Sequence, residues 1–527
     1  MSSLISLIRG KKWFFLILVL SILNFFIYIF SIDSLYVSAQ HERQSQTSGI
    51  ALNIVKKGII SFWQPEVDFP MNRRYTENFN TQIIDTTIIR YEVPFHGILN
   101  WPISILVGWK SWTPSLISFI SSVVTIFLCW SFFSRFFEPK IAFFGVLILS
   151  TSPLFLHFGQ VPMPDILSLM FLVASVLFAT PYTFNHQSNA DSSSRSSWKI
   201  KSLLLSASFF AMGILAKQSI APFLLSPAML LSSQERGRRR ILTVILYSVI
   251  AILPLLIWAS LSVFDNPLYS TNFIEMAKDP NHKGFPQDLF TLNFYLRSFI
   301  YISIFGVGFL GVVLALYSLP SLFRNKKYDF FLGAVLGCLY LYISTPRLMW
   351  REPQYSLIVV FWLSFLASAG LQVLSRKSEY FSGFSKKIFR YSLLLLFIIQ
   401  LFTVTAGTLD LKASRIPNAP ELVEAGKLLP PEAKVIQVSP SYGATPTFLL
   451  NRKTILLEDS SISALDKYIK SGYRYILFWD YTLRSGFSGG RKVIVASEKY
   501  PKLFDFCKDK FKSIFIGNGV YLFEIDN

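Results

Sequence analysis

Residues 113–134 read TPSLISFISSVVTIFLCWSFFS and contain no charged side chain. A helix needs about 20 consecutive apolar residues to cross the hydrocarbon core of a bilayer, so this block is typical of a membrane span. Similar blocks recur along the chain and predict an α-helical polytopic membrane protein with about eleven transmembrane helices. Their approximate bounds are 13–32, 113–134, 141–156, 163–180, 201–216, 218–232, 241–263, 296–322, 329–345, 355–374 and 391–409.

The composition supports the same class. Of the 527 residues, 52% are hydrophobic and 15% are charged, whereas soluble proteins carry about 25% charged residues. A formal net charge of +19 is also found in nucleic-acid-binding proteins. Here, however, Lys and Arg cluster in short segments between the apolar blocks, where the positive-inside rule places them. We therefore expect membrane lipids, and no nucleic acid, as partners.

The basic segments predict the orientation. If the N-terminus lies in the cytoplasm, all five of them fall on the inner side, at 135–140, 195–201, 236–240, 324–327 and 376–387. The first apolar block follows basic residues but is long and lacks a prompt cleavage site, so we interpret it as a retained span. The prediction is a multi-pass plasma-membrane protein with a cytoplasmic N-terminus and an extracytoplasmic C-terminal domain.

Three outer segments are long, at 33–112, 265–293 and 412–527. The last one alternates helical and strand patterns: helices at 420–429, 463–471 and 499–511, strands at 434–438 and 473–479, and a hairpin at 513–525. We therefore predict a membrane module over 1–411, which includes a first outer loop at 33–112, and a small outer α/β domain over 412–527.

The apolar blocks hold very few ionisable residues, which disfavours an ion-coupled transporter because such proteins keep charges near the midplane. A site at the outer boundary is favoured instead. Asp165 follows Pro164 at the start of the fourth block. An acid in a first helical turn interacts favourably with the helix dipole. It could equally bind a metal or orient an acceptor, and the spacing alone leaves both interpretations open.

Several cations lie on the predicted outer side, where few are expected: Lys217, Arg297, Arg347 and Arg351. They could extend to lipid headgroups or bind the phosphate of a lipid-linked substrate. His96 and His157 are isolated in sequence, so we interpret them as structural or interfacial residues and not as ligands. The histidines form no H-E-x-x-H pattern, and no Walker motif occurs.

Three stretches together resemble the GT-C glycosyltransferases, in particular bacterial relatives of the protein mannosyltransferases and of the lipid A aminoarabinose transferase. The first is RRYTE at 73–77, followed by YEVPFHG at 91–97 and NWP at 100–102. The second runs from Ser152-Pro153 to Met163-Pro164-Asp165, and the third is QYSL at 354–357. The resemblance covers about residues 60–375 and a comparable outer α/β tail. Departures from the family pattern are Asn100, Gln160 and Glu352.

The resemblance implies transfer of a sugar from a polyprenyl-phosphate donor to a lipid, glycan or protein acceptor on the outer face. It implies that Glu77 or Asp68 is the catalytic base and that Asp165 contacts the acceptor or a divalent metal ion, the one candidate cofactor. The implied substrate-binding residues are Arg74, Lys217, Arg347, Arg351 and Tyr355.

Two other functions remain as alternatives. A polysaccharide polymerase or ligase also uses polyprenyl-linked glycans, but such chains usually carry their long loop late. A non-catalytic flippase or transporter would require charges near the midplane, which are scarce here.

Overall fold

The structure is a computed structural model. It describes residues 11–31, 41–67, 87–89, 92–110, 112–180, 192–233, 235, 237–263, 270–271, 291–324, 328–344, 353–378, 398, 402, 418–438, 444–457, 462–484 and 491–525. The predicted span at 391–409 lies almost entirely outside them.

Most helices in the first part of the chain overlap a predicted apolar block. The helices of this part are α1 (Lys11–Ser31), α2 (His41–Lys57), α3 (Phe95–Val107), α4 (Thr113–Phe133), α5 (Pro139–Ser150), α6 (Pro153–Phe158), α7 (Pro164–Ala179), α8 (Ser192–Ala216), α9 (Leu225–Leu231), α10 (Arg238–Val263), α11 (Leu292–Tyr301), α12 (Gly308–Arg324), α13 (Phe330–Ser344) and α14 (Ser356–Ser378). Short 3-10 helices cover Ile59–Trp63, Gln218–Phe223 and Pro353–Tyr355, and a π-helix covers Ile302–Gly306.

Within the described residues, three helices are long and apolar enough to cross a membrane: Thr113–Phe133, Arg238–Ser260 and Ser356–Lys377. Seven further apolar helical segments have 10–17 residues. The number of about eleven spans therefore stays a prediction. Exposure differs among the long helices: most of Arg238–Ser260 faces outward, whereas most of Ser356–Lys377 is buried in the bundle.

Three predicted spans are interrupted. The block at 141–156 is divided between α5 and α6 because Pro153 begins a new helix. The block at 218–232 forms a 3-10 helix followed by α9, with Pro222 inside the 3-10 segment. These breaks follow from proline, which cannot donate a backbone hydrogen bond in a helix interior.

The predicted span at 296–322 is bent by 113° between its two halves. The π-helix ends at Gly306, and Gly308 has a positive φ of 74°, a conformation that favours glycine. A Cβ on Gly306 would lie 3.1 Å from Val360 Cγ2, so close packing against α14 also requires glycine. Ser152 Oγ donates to the carbonyl oxygen of Phe305 at 3.1 Å and fixes the bend to the start of α6.

The core of the bundle is aromatic at one end. Phe365 on α14 is fully buried, and its ring centroid lies 4.9 Å from that of Phe137, 5.4 Å from that of Phe136 and 5.5 Å from that of Phe132. Edge-to-face and offset rings pack favourably at these separations. This cluster holds the carboxyl end of α4 against α14.

The C-terminal part contains a five-stranded sheet in the order β5-β4-β6-β10-β9. Its strands are β4 (Lys434–Val438), β5 (Lys453–Leu456), β6 (Tyr475–Trp479), β9 (Lys512–Gly517) and β10 (Val520–Glu524). Strand β4 pairs in parallel with β5 and β6, and β10 is antiparallel to β6 and β9. A separate hairpin joins β7 (Tyr481–Arg484) to β8 (Arg491–Ile494).

Helices cover both faces of this sheet: α15 (Ala419–Lys427), α16 (Ala444–Leu450), α17 (Ile462–Lys470), α18 (Ala496–Lys499) and α19 (Pro501–Lys510). The predicted strand at 434–438 and the terminal hairpin are confirmed, and the three predicted helices differ only at their ends. The sequence analysis missed α16, α18, β5 and the β7–β8 hairpin. The boundary at residue 412 lies outside the described residues and stays a prediction.

The first outer loop contributes α2, α3 and two short strands. These strands, β1 (Glu66–Val67) and β2 (Thr87–Ile89), form a small sheet with β3 (Ser270–Thr271) in the order β1-β2-β3. Helix α3 contains the NWP stretch, and its Ile105 and Leu106 are exposed. Helix α2 was not predicted.

Candidate active site

Asp165 occupies the first turn of α7. Met163 precedes the helix in an extended conformation, and Pro164 takes the first helical position, where its missing N–H costs nothing. Only 3% of Asp165 is exposed. The S-P…M-P-D pattern thus makes two successive helix starts, at Pro153 and Pro164, and the second one places a carboxylate inside the protein.

Lys217 lies where the chain turns between α8 and the 3-10 helix Gln218–Phe223. Its backbone N–H continues the helical pattern by donating to Gly213 O at 2.9 Å, but its own conformation is extended. The side chain is buried, with 6% exposure. Its Nζ lies 3.5 Å from Asp165 Oδ1.

Glu92 supplies a second carboxylate to the same ammonium group. Its Oε1 lies 3.5 Å from Lys217 Nζ. The adjacent Val93 N–H donates to Leu215 O at 2.8 Å, two residues before Lys217. This backbone bond fixes the segment that leads into α3 beside the end of α8.

Arg43 from α2 completes the cluster. Its Nη2 donates to Glu92 Oε2 in an ion pair, so that Arg43, Glu92, Lys217 and Asp165 form a chain of alternating charge. The formal charges of these four side chains sum to zero. Lys217 and Asp165 are buried and Arg43 and Glu92 are partly buried, and this arrangement is stable only because each charge has an opposite partner within contact distance.

Burial and the two acids act in opposite directions on Lys217. Burial disfavours the ammonium form, but the nearby carboxylates of Asp165 and Glu92 outweigh it, and the pKa of Lys217 is raised above its usual value. Lys217 is therefore charged at neutral pH. Its Nζ also lies 5.5 Å from the ring centroid of Tyr355, a cation–π distance.

His96 supports the site from one side. Burial and the charge of Arg43 lower the pKa of His96 to about 3, so the imidazole is neutral. Its Nε2 lies 2.9 Å from Ser118 Oγ, which in turn donates to Met163 O at 3.4 Å. The prediction that His96 is structural agrees with this arrangement, because the histidine braces the start of α7.

One oxygen of the cluster is unused. Asp165 Oδ2 is buried and accepts no hydrogen bond from any residue that the structure describes. A buried carboxylate oxygen without a donor is costly, so a donor group that enters the site would be bound favourably. An acceptor hydroxyl group that enters the site could donate a hydrogen bond to it.

The predicted site residues divide into two groups. Asp165, Lys217 and Tyr355 are brought together, although they are far apart in sequence. Asp68, Arg74, Glu77, Arg347 and Arg351 lie outside the described residues, so their roles stay predictions. Arg297 donates to Asn293 within α11.

The sequence analysis did not select Glu92 or Arg43. Glu92 stands in the quoted YEVPFHG stretch, directly before the Val-Pro that starts α3, and this position was the available signal. Arg43 had no signal, because its role depends on an unpredicted helix.

A metal role for Asp165 is not supported by the described residues alone. No group of three or more His, Cys, Asp or Glu side chains comes together among them. The ammonium of Lys217 already lies between the carboxylates of Asp165 and Glu92. Binding of a divalent ion by Asp165 therefore stays a prediction.

Residues 93–262 match the sequence model of the family described as dolichyl-phosphate-mannose-protein mannosyltransferase. This match covers α3 to α10 and includes Asp165 and Lys217. No curated protein matches the chain by sequence.

Solved structures resemble the chain over nearly its whole length. ArnT from Cupriavidus metallidurans bound to undecaprenyl phosphate has a TM-score of 0.62 at 14% identity, with 98% of each chain covered. The oligosaccharyltransferase AglB from Archaeoglobus fulgidus, in complex with an inhibitory peptide and a dolichol phosphate, has a TM-score of 0.58 at 11% identity. That alignment covers 92% of this chain and 74% of AglB. The chain thus has the fold of these two proteins, with a helical bundle followed by a smaller C-terminal α/β part.

Proposed function

We propose that this protein is a glycosyltransferase that moves a sugar from a polyprenyl-phosphate donor to a lipid, glycan or protein acceptor. The observation that carries the proposal is the charge chain from Arg43 to the buried Asp165, whose Oδ2 has no hydrogen-bond donor among the residues that the structure describes. The GT-C fold supports it, as do the polyprenyl phosphates named with ArnT and AglB.

The chemistry requires one base and a stabilised leaving group. The acceptor oxygen forms a bond to the anomeric carbon, the bond from that carbon to the phosphate oxygen breaks, and the lipid phosphate leaves with the electron pair. The hydroxyl proton passes to a carboxylate. Asp165 is positioned for contact with the acceptor through Oδ2, and Glu77 or Asp68 remains our candidate for the base.

Charge balance suggests where the phosphate binds. Lys217 and Arg43 are already neutralised by Asp165 and Glu92. An added phosphate would need further cations, which Arg74, Arg347 and Arg351 of the loops could supply. In this proposal Lys217 holds the two acids in place, and the ring of Tyr355 packs against its ammonium group.

We also propose that the site lies at the outer face of the plasma membrane, with residues 1–411 as the membrane module and 412–527 as the extracytoplasmic domain. The positive-inside pattern supports this orientation. Reporter fusions after Arg239 and at Asn527 should report opposite sides of the membrane, and the same side for both would contradict it.

The activity is tested with purified protein in lipid nanodiscs and a panel of radiolabelled polyprenyl-phosphate sugars. We expect release of polyprenyl phosphate together with label on an acceptor. Turnover of diphosphate-linked glycans alone would identify a polymerase or ligase. Movement of labelled lipid across proteoliposomes without bond cleavage would identify a flippase.

A further inference from the structure

Helix α2 buries polar side chains to an unusual extent. Gln44, Ser45, Gln46 and Ser48 are all at most 5% exposed. Polar side chains are buried in a protein mainly where hydrogen-bond partners are available to them. Helix α2 contacts α3 of the first loop on one side and α16 of the C-terminal domain on another.

Two residues within one turn of α2 contact different parts of the molecule, namely the charge chain and the C-terminal domain. Arg43 forms the ion pair with Glu92, and its Nη1 donates to Gln46 Oε1 at 2.5 Å. Two positions further on, Ser45 Oγ donates to Thr445 Oγ1 of α16 at 3.3 Å, in a buried contact. The same helix therefore touches the charge chain and the C-terminal domain within one turn.

Both ends of α16 hold α2. Thr445 lies near its start, and Asn451, directly after its end, accepts a hydrogen bond from Lys56 Nζ at 3.2 Å. Asn451 has a positive φ of 53°, a conformation that asparagine tolerates better than most residues. Helix α16 is itself fixed to the sheet, because Gln437 of β4 donates from Nε2 to Thr447 Oγ1 at 3.3 Å.

The opposite side of α2 is packed just as closely. A Cβ on Gly97 of α3 would lie 3.3 Å from Ala51 Cα and within clashing distance of the Ile54 side chain. Helix α2 therefore cannot shift toward α3 without displacing the segment that carries Glu92.

We infer that the C-terminal α/β domain positions the catalytic cluster through α2, with Arg43 as the positioning residue that fixes Glu92 and, through it, Lys217 and Asp165. The inference rests on the proposed function. Arg43 acts through Glu92 and need not touch the substrate itself.

The contact between Ser45 and Thr445 is tested first, without an activity assay. The paired substitutions Ser45→Cys and Thr445→Cys should form a disulfide under mild oxidation in the full chain, because the two side-chain oxygens lie 3.3 Å apart. Ser45→Cys paired with Lys470→Cys, which lies on the exposed side of α17, is the control and should not cross-link.

The kinetic test separates positioning from substrate binding. Arg43→Lys keeps the charge but loses the planar fork, and we expect kcat to fall by up to about 10²-fold with KM for the lipid donor unchanged. Thr445→Leu, in the other domain, should lower kcat in the same way but less, and Thr445→Ser should restore it. Lys470→Leu on the same domain should have no effect.

The outcomes are distinct. A correctly folded Thr445→Leu protein with wild-type kcat, or with only KM changed, would overturn the inference. If the wild type turns over no donor, the proposed function fails, and amide hydrogen exchange at Val93 then tests the inference by itself. Thr445→Leu should accelerate that exchange, because the Val93 N–H bond to Leu215 O depends on the position of α3. Unchanged exchange would overturn the inference.

Discussion

Charged side chains of opposite sign lie at the two ends of helix α7: Asp165 in its first turn, and Arg135, which follows α4, at its last turn. At the last turn, Arg135 Nη1 donates to Leu177 O at 2.6 Å and to Thr180 O at 2.8 Å. At the first turn, Asp165 instead faces Lys217 and keeps Oδ2 without a donor among the described residues. Both signs suit the helix dipole. Of the two, however, only Arg135 forms hydrogen bonds with backbone groups at the end of the helix.

The residues that surround the two ends of α7 also differ, being aromatic at the last turn and polar at the first. Near Arg135 lie the interlocked rings of Phe132, Phe133, Phe136 and Phe365. At the other end of α4, about 21 Å away at 1.5 Å per residue, Ser118 and His96 brace the charge chain. One end of the bundle is therefore built for packing and the other for charge, and substitutions at the two ends should separate stability from activity.

Asp165→Asn should have the largest effect on activity. The amide keeps the shape of the side chain but cannot carry a negative charge or take a proton, so we expect turnover to fall about 10²–10⁴-fold. Thermal unfolding in nanodiscs should stay close to that of the wild type, with Asp466→Asn on exposed α17 as the control. Turnover within a few-fold of wild type would show that Asp165 only stabilises the helix start.

Lys217→Met should destabilise the fold as well as inactivate it. The substitution leaves Asp165 and Glu92 buried without their shared counterion, and breaking such a buried pair costs about 3–5 kcal/mol. The double variant Asp165→Asn with Lys217→Met should recover part of this loss, as equilibrium unfolding would measure. Lys201→Met is the matched control, because Lys201 lies at an exposed position of α8. A Lys217→Met protein as stable as the wild type would contradict the charge chain.

Phe365→Ala should show the opposite pattern at the aromatic end. Removing a fully buried ring leaves a cavity between α4 and α14, and we expect a loss of about 3–5 kcal/mol in the free energy of unfolding. The folded fraction should retain its turnover number. Phe309→Ala, at an exposed position on α12, should change stability much less. Loss of turnover in folded Phe365→Ala would mean that the two ends are coupled.

His96 predicts a pH dependence of stability. Its pKa is lowered to about 3 in the folded protein, whereas the unfolded value is about 6.5. Below about pH 6.5 only the unfolded chain takes up this proton, so stability falls with decreasing pH by up to about 1.4 kcal/mol per pH unit. The comparison of wild type with His96→Gln from pH 7 to pH 5 isolates the effect. Parallel curves for the two proteins would exclude it.

Tyr247→Phe should have the smallest effect. The Tyr247 hydroxyl lies 2.8 Å from Ser175 Oγ between α10 and α7, in a fully buried contact. Hydrogen bonds between membrane helices contribute about 0.6 kcal/mol on average. A shift of this size in thermal unfolding is expected, and Tyr340→Phe at an exposed position on α13 should give none. If Tyr247→Phe instead lowered the free energy of unfolding by several kcal/mol, hydrogen bonds between the helices would contribute much of the stability of the bundle.

Much of the fold was available from the sequence because the bilayer imposes it. The length of the apolar blocks predicts helices. Two strand-like segments joined by Gly517-Asn518-Gly519 predict the terminal hairpin. The bend at Gly306 to Gly308 was missed, since an apolar run continues unchanged across it. Helix α2 was missed for the opposite reason: its buried side chains are polar, and their burial depends on partners in α3 and α16.

For the site, the sequence by itself predicted that Asp165 starts a helix, that Lys217 lies on the side of the membrane where cations are few, and that Tyr355 lies at the start of an apolar block. These are local properties of helix starts and charge distribution. Only the tertiary structure decided that Glu92 and Arg43 join them, because an ion pair depends on distance in space and not on separation in sequence. Burial then decides the strength of these contacts, since opposite charges attract more strongly where water is excluded.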